Sequence, residues 1–204
     1  MLDIIYEDDW LLIVNKPAGL LSVPGRYRDN QDSVVSRLGR EIKAVHRLDR
    51  DTSGLLLLAK DLSTYRHLSL QFQARTVDKV YEALLAGLVQ PESGTINLPL
   101  WGNPDNRPYQ TVDWQRGKPS LTHFQVIRKE DNYTRMQFIP TTGRSHQIRV
   151  HSASSQGLGI PILGDRLYNT SIPTKSRLYL HAREIAFDHP QLDKRCSFQV
   201  ATSF

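Results

Sequence analysis

The longest aliphatic run in the chain is Leu55-Leu56-Leu57-Leu58-Ala59, and its length decides much of what the chain can become. A bilayer span needs about 20 apolar residues, so this run is far too short to cross a membrane. It is also shorter than a typical helix, and continuous instead of spaced at helical intervals. With Gly54 ahead of it, the segment Gly54 to Ala59 reads as a strand buried on both faces. Such a strand needs a core around it. A chain of 204 residues buries roughly 70% of the surface its unfolded form exposes, so it needs no disulfide or metal staple. There is room for one sizeable domain, or for two small lobes sharing a core. The single Cys196 has no partner within the chain, which excludes a secreted disulfide scaffold. No Cys/His cluster has zinc spacing. The opening MLDIIYEDDW carries Asp3, Glu7, Asp8 and Asp9 and no basic segment, so it does not read as a signal peptide. The expectation is a soluble, cytoplasmic protein with no membrane partner.

Around that strand the pattern is mostly of strand pairs. Ile4 to Tyr6 and Leu11 to Asn15 read as short strands about the acidic turn Glu7-Asp8-Asp9. Lys16-Pro17-Ala18-Gly19 breaks the pattern and starts a loop. Asp32 is placed to cap a helix running to about Arg40, with Val34, Val35 and Leu38 on one face. Leu62, Tyr65, Leu68 and Phe72 recur at helical spacing and predict an amphipathic helix from Asp61 to Ala74. Val80 to Ala86 reads as a strand, and the Pro- and Gly-rich stretch from Gln90 to Lys118 as loops with short strands. Leu121 to Ile127 and Thr134 to Ile139 read as neighbouring strands joined near Asp131-Asn132. Ser145 to about Gln156 reads as helix, and Leu178 to Ile185 and Ser197 to Val200 as late strands. Without regular βαβ alternation, this is an α+β chain with a mixed, mostly antiparallel central sheet and flanking helices and loops.

The polar string His46-Arg47-Leu48-Asp49-Arg50-Asp51-Thr52-Ser53-Gly54 lies directly before the apolar strand. A rigid strand end is a good mount for chemistry. Asp51 and Thr52 suit a turn, bonding to nearby backbone N–H groups. Asp49 differs in having Arg47 and Arg50 beside it. The net charge is +5, and the stretch from Pro140 to Arg183 holds all of that excess: Arg144, Arg149, Arg166, Lys175, Arg177 and Arg183 against Asp165 alone. Clustered positive charge suits a polyanionic partner, and it also occurs on ordinary basic surfaces.

HRLDRDTSG resembles the signature loop of the RluA family of pseudouridine synthases. Further segments resemble that family in the same order. They are IIYEDDWLLIVNKPAGLLSVPG, Lys79-Val80-Tyr81-Glu82-Ala83, TGRSHQIRVH (Thr142 to His151) with PILGD (Pro161 to Asp165), and Leu180-His181-Ala182. One motif alone would be weak; the ordered set covers nearly the whole chain. The resemblance implies a pseudouridine synthase fold with an RNA-binding cleft. It also implies an isomerase that breaks the N1–C1′ bond of a uridine, turns the uracil and rejoins it through C5. By the same resemblance Asp49 is the catalytic nucleophile and Arg47 replaces the target base in the RNA stack. Tyr81 packs on the uracil and is proposed as a general base, Arg144 pairs with the nucleophile, and Ile148 contacts the base.

These residue types suit that chemistry. A carboxylate holds a covalent adduct while a glycosidic bond rearranges, attacking either ribose or uracil. Burial would raise its pKa, and a paired arginine reverses that. Flipping a stacked uridine costs a few kcal/mol, part of which an aromatic face recovers. No atom enters or leaves, so no cofactor or metal is expected. His46, His146 and His151 are expected to act as hydrogen-bonding supports. Lys16, Arg26, Arg28 and the basic stretch from Pro140 are expected to line the RNA groove. The expected partner is structured RNA, a tRNA or rRNA stem-loop, and the protein is expected to act as a monomer. Ile4-Ile5-Tyr6 already matches the first strand of the catalytic domain, so residues 1–204 are expected to form one catalytic domain without an N-terminal S4 domain. That pattern resembles the short branch of the family, which modifies a uridine in a tRNA anticodon loop and another in a large-subunit rRNA hairpin. Arg50-Asp51 departs from the Met-Ala pair of that branch, which leaves a different uridine of rRNA or tRNA as the alternative target. An RNA-binding protein without catalysis, or a hydrolase using Asp49 and Asp51 together, are the other readings.

Overall fold

The computed structural model describes residues 2–39, 41–169 and 177–204. The strands are β1 (Asp3–Glu7), β2 (Leu11–Lys16), β3 (Lys43–Ala44), β4 (Ser53–Ala59), β5 (Asp78–Leu85) and β6 (Ser93–Asn97). They continue with β7 (Leu100–Trp101), β8 (Thr111–Val112), β9 (Leu121–Lys129), β10 (Thr134–Pro140), β11 (Leu180–Asp188) and β12 (Arg195–Gln199). Three α-helices accompany them: α1 (Val34–Leu38), α2 (Leu62–Ala74) and α3 (Gln147–Ala153). The chain divides into two compact units, residues 1–79 with 181–204, and residues 80–180.

In the first unit the order is β1-β2-β4-β11, with β3 on β4 and β12 on β11. β4 is antiparallel to β2 and parallel to β11, so the sheet is mixed. Every residue of β4 is buried, as the unbroken apolar run predicts. Leu55 and Leu57 join Leu11, Ile13, Leu68, Val77, Ile185 and Phe187 in one core. Gly54 has φ +110°, and a Cβ there would lie 2.3 Å from the Ala182 carbonyl oxygen, so only glycine lets β4 and β11 approach this closely.

Two helix details depart from the sequence reading. Asp61 caps α2 as expected, accepting the Thr64 N–H at 2.9 Å. The buried face of α2, however, is Thr64, Leu68 and Gln71, while Leu62 is 49% exposed. Leu62 is the first helical residue, ahead of the turn that packs on the sheet. Ser33, not Asp32, caps α1, through a reciprocal pair of bonds with Ser36. Asp32 instead grips the Arg37 guanidinium at 2.6 and 2.7 Å. α1 stops at Gly39, φ +120°; Arg40, where the helix was expected to end, lies outside the described residues.

The second unit is an antiparallel sheet, β5-β10-β9-β6, with the small β7–β8 pair beside it. Its core gathers Ala83, Leu85, Met136, Phe138, Ile148 and Ile162 with neighbours from the same unit. α3 is shorter than the predicted helix. His146, just before it, has φ +54°, a left-handed conformation that sets the helix start.

Candidate active site

In the first unit the loop carrying Asp49 is tied down on both sides, chiefly through backbone atoms. Leu48 donates its N–H to Ser22 Oγ at 3.0 Å, and its carbonyl accepts the Ser22 hydroxyl at 2.8 Å. The Arg50 carbonyl accepts from Lys16 Nζ and from Gly19 N–H, each at 2.9 Å. Arg50 Nε donates back to the Gly19 carbonyl at 3.0 Å. Thr52 N–H closes the turn on the Asp49 carbonyl at 3.2 Å. Asp49 itself is half-buried and Arg47 is exposed.

Lys16 corrects the sequence reading. It was expected in the RNA groove, yet it is 0% exposed. Its ammonium also donates to the Pro17 carbonyl at 3.0 Å and the Leu20 carbonyl at 2.7 Å. A buried ammonium is costly unless its protons are satisfied, and three carbonyls do so here. The sequence signal was a charge ending the apolar strand LLIVNK, but charge pattern alone suggests solvent, not burial. Ser22 was missed altogether, having no signal beyond its loop.

His46 does serve as a support. Its Nε2 accepts the Leu57 N–H at 3.0 Å and its ring stacks on Phe72 at 4.7 Å. Burial first, and the Lys79 charge second, push its pKa down to about 3. The imidazole is therefore neutral and pins the loop to β4.

In the second unit, Tyr81 lies on β5 opposite Phe138 and packs, half-buried, against the core. Ile148 is 5% exposed and belongs to that core. Arg144 lies in the turn before α3. Its N–H donates to Gln147 Oε1 at 3.0 Å and its Nε to the Pro119 carbonyl at 3.3 Å. Gln147 is buried and organises that turn: it accepts the Thr142 hydroxyl at 2.7 Å and donates to the Leu121 carbonyl and Thr122 Oγ1. His146 Nδ1 is 2.7 Å from the Tyr168 hydroxyl, which also accepts Gln110 N–H at 2.9 Å. His151 is 0% exposed between Thr122 and the Leu98 carbonyl, and burial lowers its pKa.

Arg149 is a second correction to the groove. It is 3% exposed and forms a two-pronged pair with Asp165, itself 1% exposed, at 2.8 and 2.7 Å. The one acid of the basic stretch thus neutralises one of its arginines internally. Arg26, Arg28 and Arg166 are exposed, and Lys175 lies outside the described residues. The structure therefore places Asp49 and Arg47 in the first unit and Tyr81, Arg144 and Ile148 in the second.

Residues 10–154 match the family model described as RNA pseudouridylate synthase. Curated relatives bearing the name dual-specificity RNA pseudouridine synthase RluA include that of Vibrio cholerae, 46% identical over 195 residues, covering 93% of this chain and 78% of the relative. That of Pasteurella multocida is 42% identical over 209 residues, covering 100% and 94%. That of Escherichia coli is 41% identical over 207 residues, covering 98% and 93%. Among solved structures, human RNA pseudouridylate synthase domain containing 1 superposes with a TM-score of 0.81 at 28% identity, covering 100% of this chain and 84% of that one. Human RNA pseudouridylate synthase domain containing 4 gives 0.77 at 25% identity, covering 98% and 88%.

Proposed function

Because this chain belongs to the RNA pseudouridylate synthase family, and is an RNA-modifying isomerase, we propose that Asp49 is its nucleophile and that it acts on uridines in both a tRNA anticodon loop and an rRNA hairpin. The observation that carries the first half is the bracing of the Asp49 loop. Leu48 and Arg50 flank Asp49, and their backbone groups are held by Ser22, Lys16 and Gly19. A nucleophile gains most when its position is settled before substrate arrives. The second half rests on the name shared by relatives that this chain matches nearly end to end.

In this reading Arg47 enters the RNA stack in place of the expelled uridine, and its exposure suits that task. Tyr81 receives the freed uracil on its ring, backed by Ile148 within the same packed cluster. Arg144 is the guanidinium proposed to pair with the nucleophilic carboxylate, whose two oxygens its planar fork matches. The carboxylate then carries the adduct while the uracil turns and C5 replaces N1 on the ribose. The protein is proposed to work as a monomer on RNA in the cytoplasm; among the described residues no helix is long and apolar enough to cross a membrane.

The test uses total RNA lacking pseudouridine, incubated with wild type and with Asp49→Ala, followed by mapping of modified sites. Wild type is expected to modify one tRNA site and one rRNA site, and the variant none. No product from wild type, or equal product from the variant, refutes the assignment. Product at a single site, or at other uridines, replaces the dual target with the one mapped.

A further inference from the structure

Trp114 is 67% exposed, a costly position for the largest apolar side chain, yet its indole is tied by a hydrogen bond. Its indole Nε1–H donates to Gln156 Oε1 at 2.9 Å. It sits on a turn whose backbone is locked by Asp113. That carboxylate accepts the N–H groups of Gln115 at 3.0 Å and Arg116 at 2.8 Å, while the Asp113 carbonyl takes the Gly117 N–H at 2.9 Å. A Cβ at Gly117 would lie 2.2 Å from that carbonyl oxygen, so the turn admits nothing larger than glycine. Arg116 bonds to Asp113 at 2.6 Å and lays its guanidinium 3.7 Å over the Trp101 ring. Arg107 and Lys118 are exposed on the same segment.

An exposed aromatic with a fixed orientation and cations beside it fits one kind of partner well. Unpaired nucleic-acid bases offer flat faces to stack and phosphates to pair, whereas paired bases in a helix have their faces covered. We propose that Trp114 is a stacking platform for an unpaired base of the RNA substrate, outside the set of residues assigned to the reacting uridine. The proposal rests on the function given above and extends it.

Trp114 lies in the same unit as Arg144. Arg144 precedes α3 and Gln156, the partner of Trp114, follows it. The nucleotide proposed to meet the indole is an unpaired one of the same loop as the target uridine. The platform would select for RNA with an open loop, and Arg107 and Lys118 would add affinity that falls with salt.

The test measures binding of a synthetic RNA stem-loop with an unpaired loop and of a blunt RNA duplex of equal length. Wild type, Trp114→Ala and Trp114→Tyr are compared, with circular dichroism confirming that each is folded. Loss of one base stack is expected to weaken stem-loop binding by Trp114→Ala about 10-fold. Trp114→Tyr, which keeps a stacking ring, is expected to stay within about threefold of wild type, and duplex affinity to change less than about twofold in either variant. Unchanged stem-loop affinity in Trp114→Ala overturns the proposal. So does an equal loss toward both RNAs, which would mean a purely electrostatic contact, or a failure of tyrosine to restore binding. Turnover by wild type is scored separately on total RNA. An active enzyme indifferent to Trp114→Ala sinks the platform alone, whereas an inactive enzyme sinks the functional reading even if Trp114 stacks.

Discussion

Lowering the pH should destabilise this protein through His46 by an amount that can be worked out in advance. The ring accepts the Leu57 N–H through Nε2 and stacks on Phe72. Protonating Nε2 destroys the acceptor and places a positive charge near Lys79, in a site where burial already disfavours it. The folded pKa is about 3, against 6.5 for the free side chain. A histidine whose folded pKa is depressed contributes stability that is complete above the unfolded value and is lost as pH falls through it. The window therefore opens near pH 6.5 and runs down toward 3. Between about pH 8 and pH 5 the loss is RT ln(1 + 10^1.5), about 2 kcal/mol. The ring keeps some access to solvent, which softens the penalty, but a folded value of about 4 changes the loss by less than about 0.1 kcal/mol.

His151 is also buried with a lowered pKa, so wild type alone does not isolate His46. The comparison is with His46→Gln, whose Oε1 can still accept the Leu57 N–H but takes up no proton in this range. Urea unfolding midpoints at about pH 8, 7, 6 and 5 give both stabilities. The variant is expected to be less stable than wild type at pH 8, because stacking on Phe72 is lost, and to gain about 2 kcal/mol relative to wild type by pH 5. His151 contributes equally to both proteins and cancels. Parallel curves would refute the reasoning, since they would mean that His46 titrates normally in the folded state.

Three further outcomes follow from the same structure. Asp49→Asn should bind RNA with near-normal affinity and show no turnover, because the amide keeps the shape of the side chain and loses its nucleophilic charge; binding by filter retention and product by site mapping check the two halves. Lys16→Met should cost about 3 kcal/mol in urea unfolding, because the Pro17 and Leu20 carbonyls lose their ammonium donor and the Arg50 carbonyl loses one of two. Asp165→Asn should cost about 3–5 kcal/mol by leaving Arg149 charged and buried, and the double variant Arg149→Met/Asp165→Asn should recover a large part of it.

The strands were legible because burial leaves a compositional mark. β4 is unbroken Leu and Ala after Gly54, and β9 and β10 flank a polar turn. The Asp49 loop was legible as an acid between arginines ahead of a buried strand. What holds that loop was not. Lys16 and Arg149 carry charges that a sequence assigns to the surface, and only three-dimensional partners make their burial tolerable. Ser33 took the cap from Asp32 because the register of α1, fixed by buried Val34, puts Ser33 one residue before the helix. Trp114 carried no readable signal either, since an exposed tryptophan and a core one look alike in a line of letters.

The bracing of the Asp49 loop also bears on residues 50 and 51, Arg50 and Asp51. Leu48 is held through its N–H and carbonyl, and Arg50 through its carbonyl. Main-chain groups are the same whatever side chain is attached, so these ties survive substitution at 50 and 51. The backbone position of Asp49 is thereby decoupled from the side chains that follow it. Arg50 adds only its Nε contact to Gly19 and remains exposed. Such an arrangement lets the surface beside Asp49 change while Lys16, Ser22 and Gly19 keep the backbone on either side of it in place.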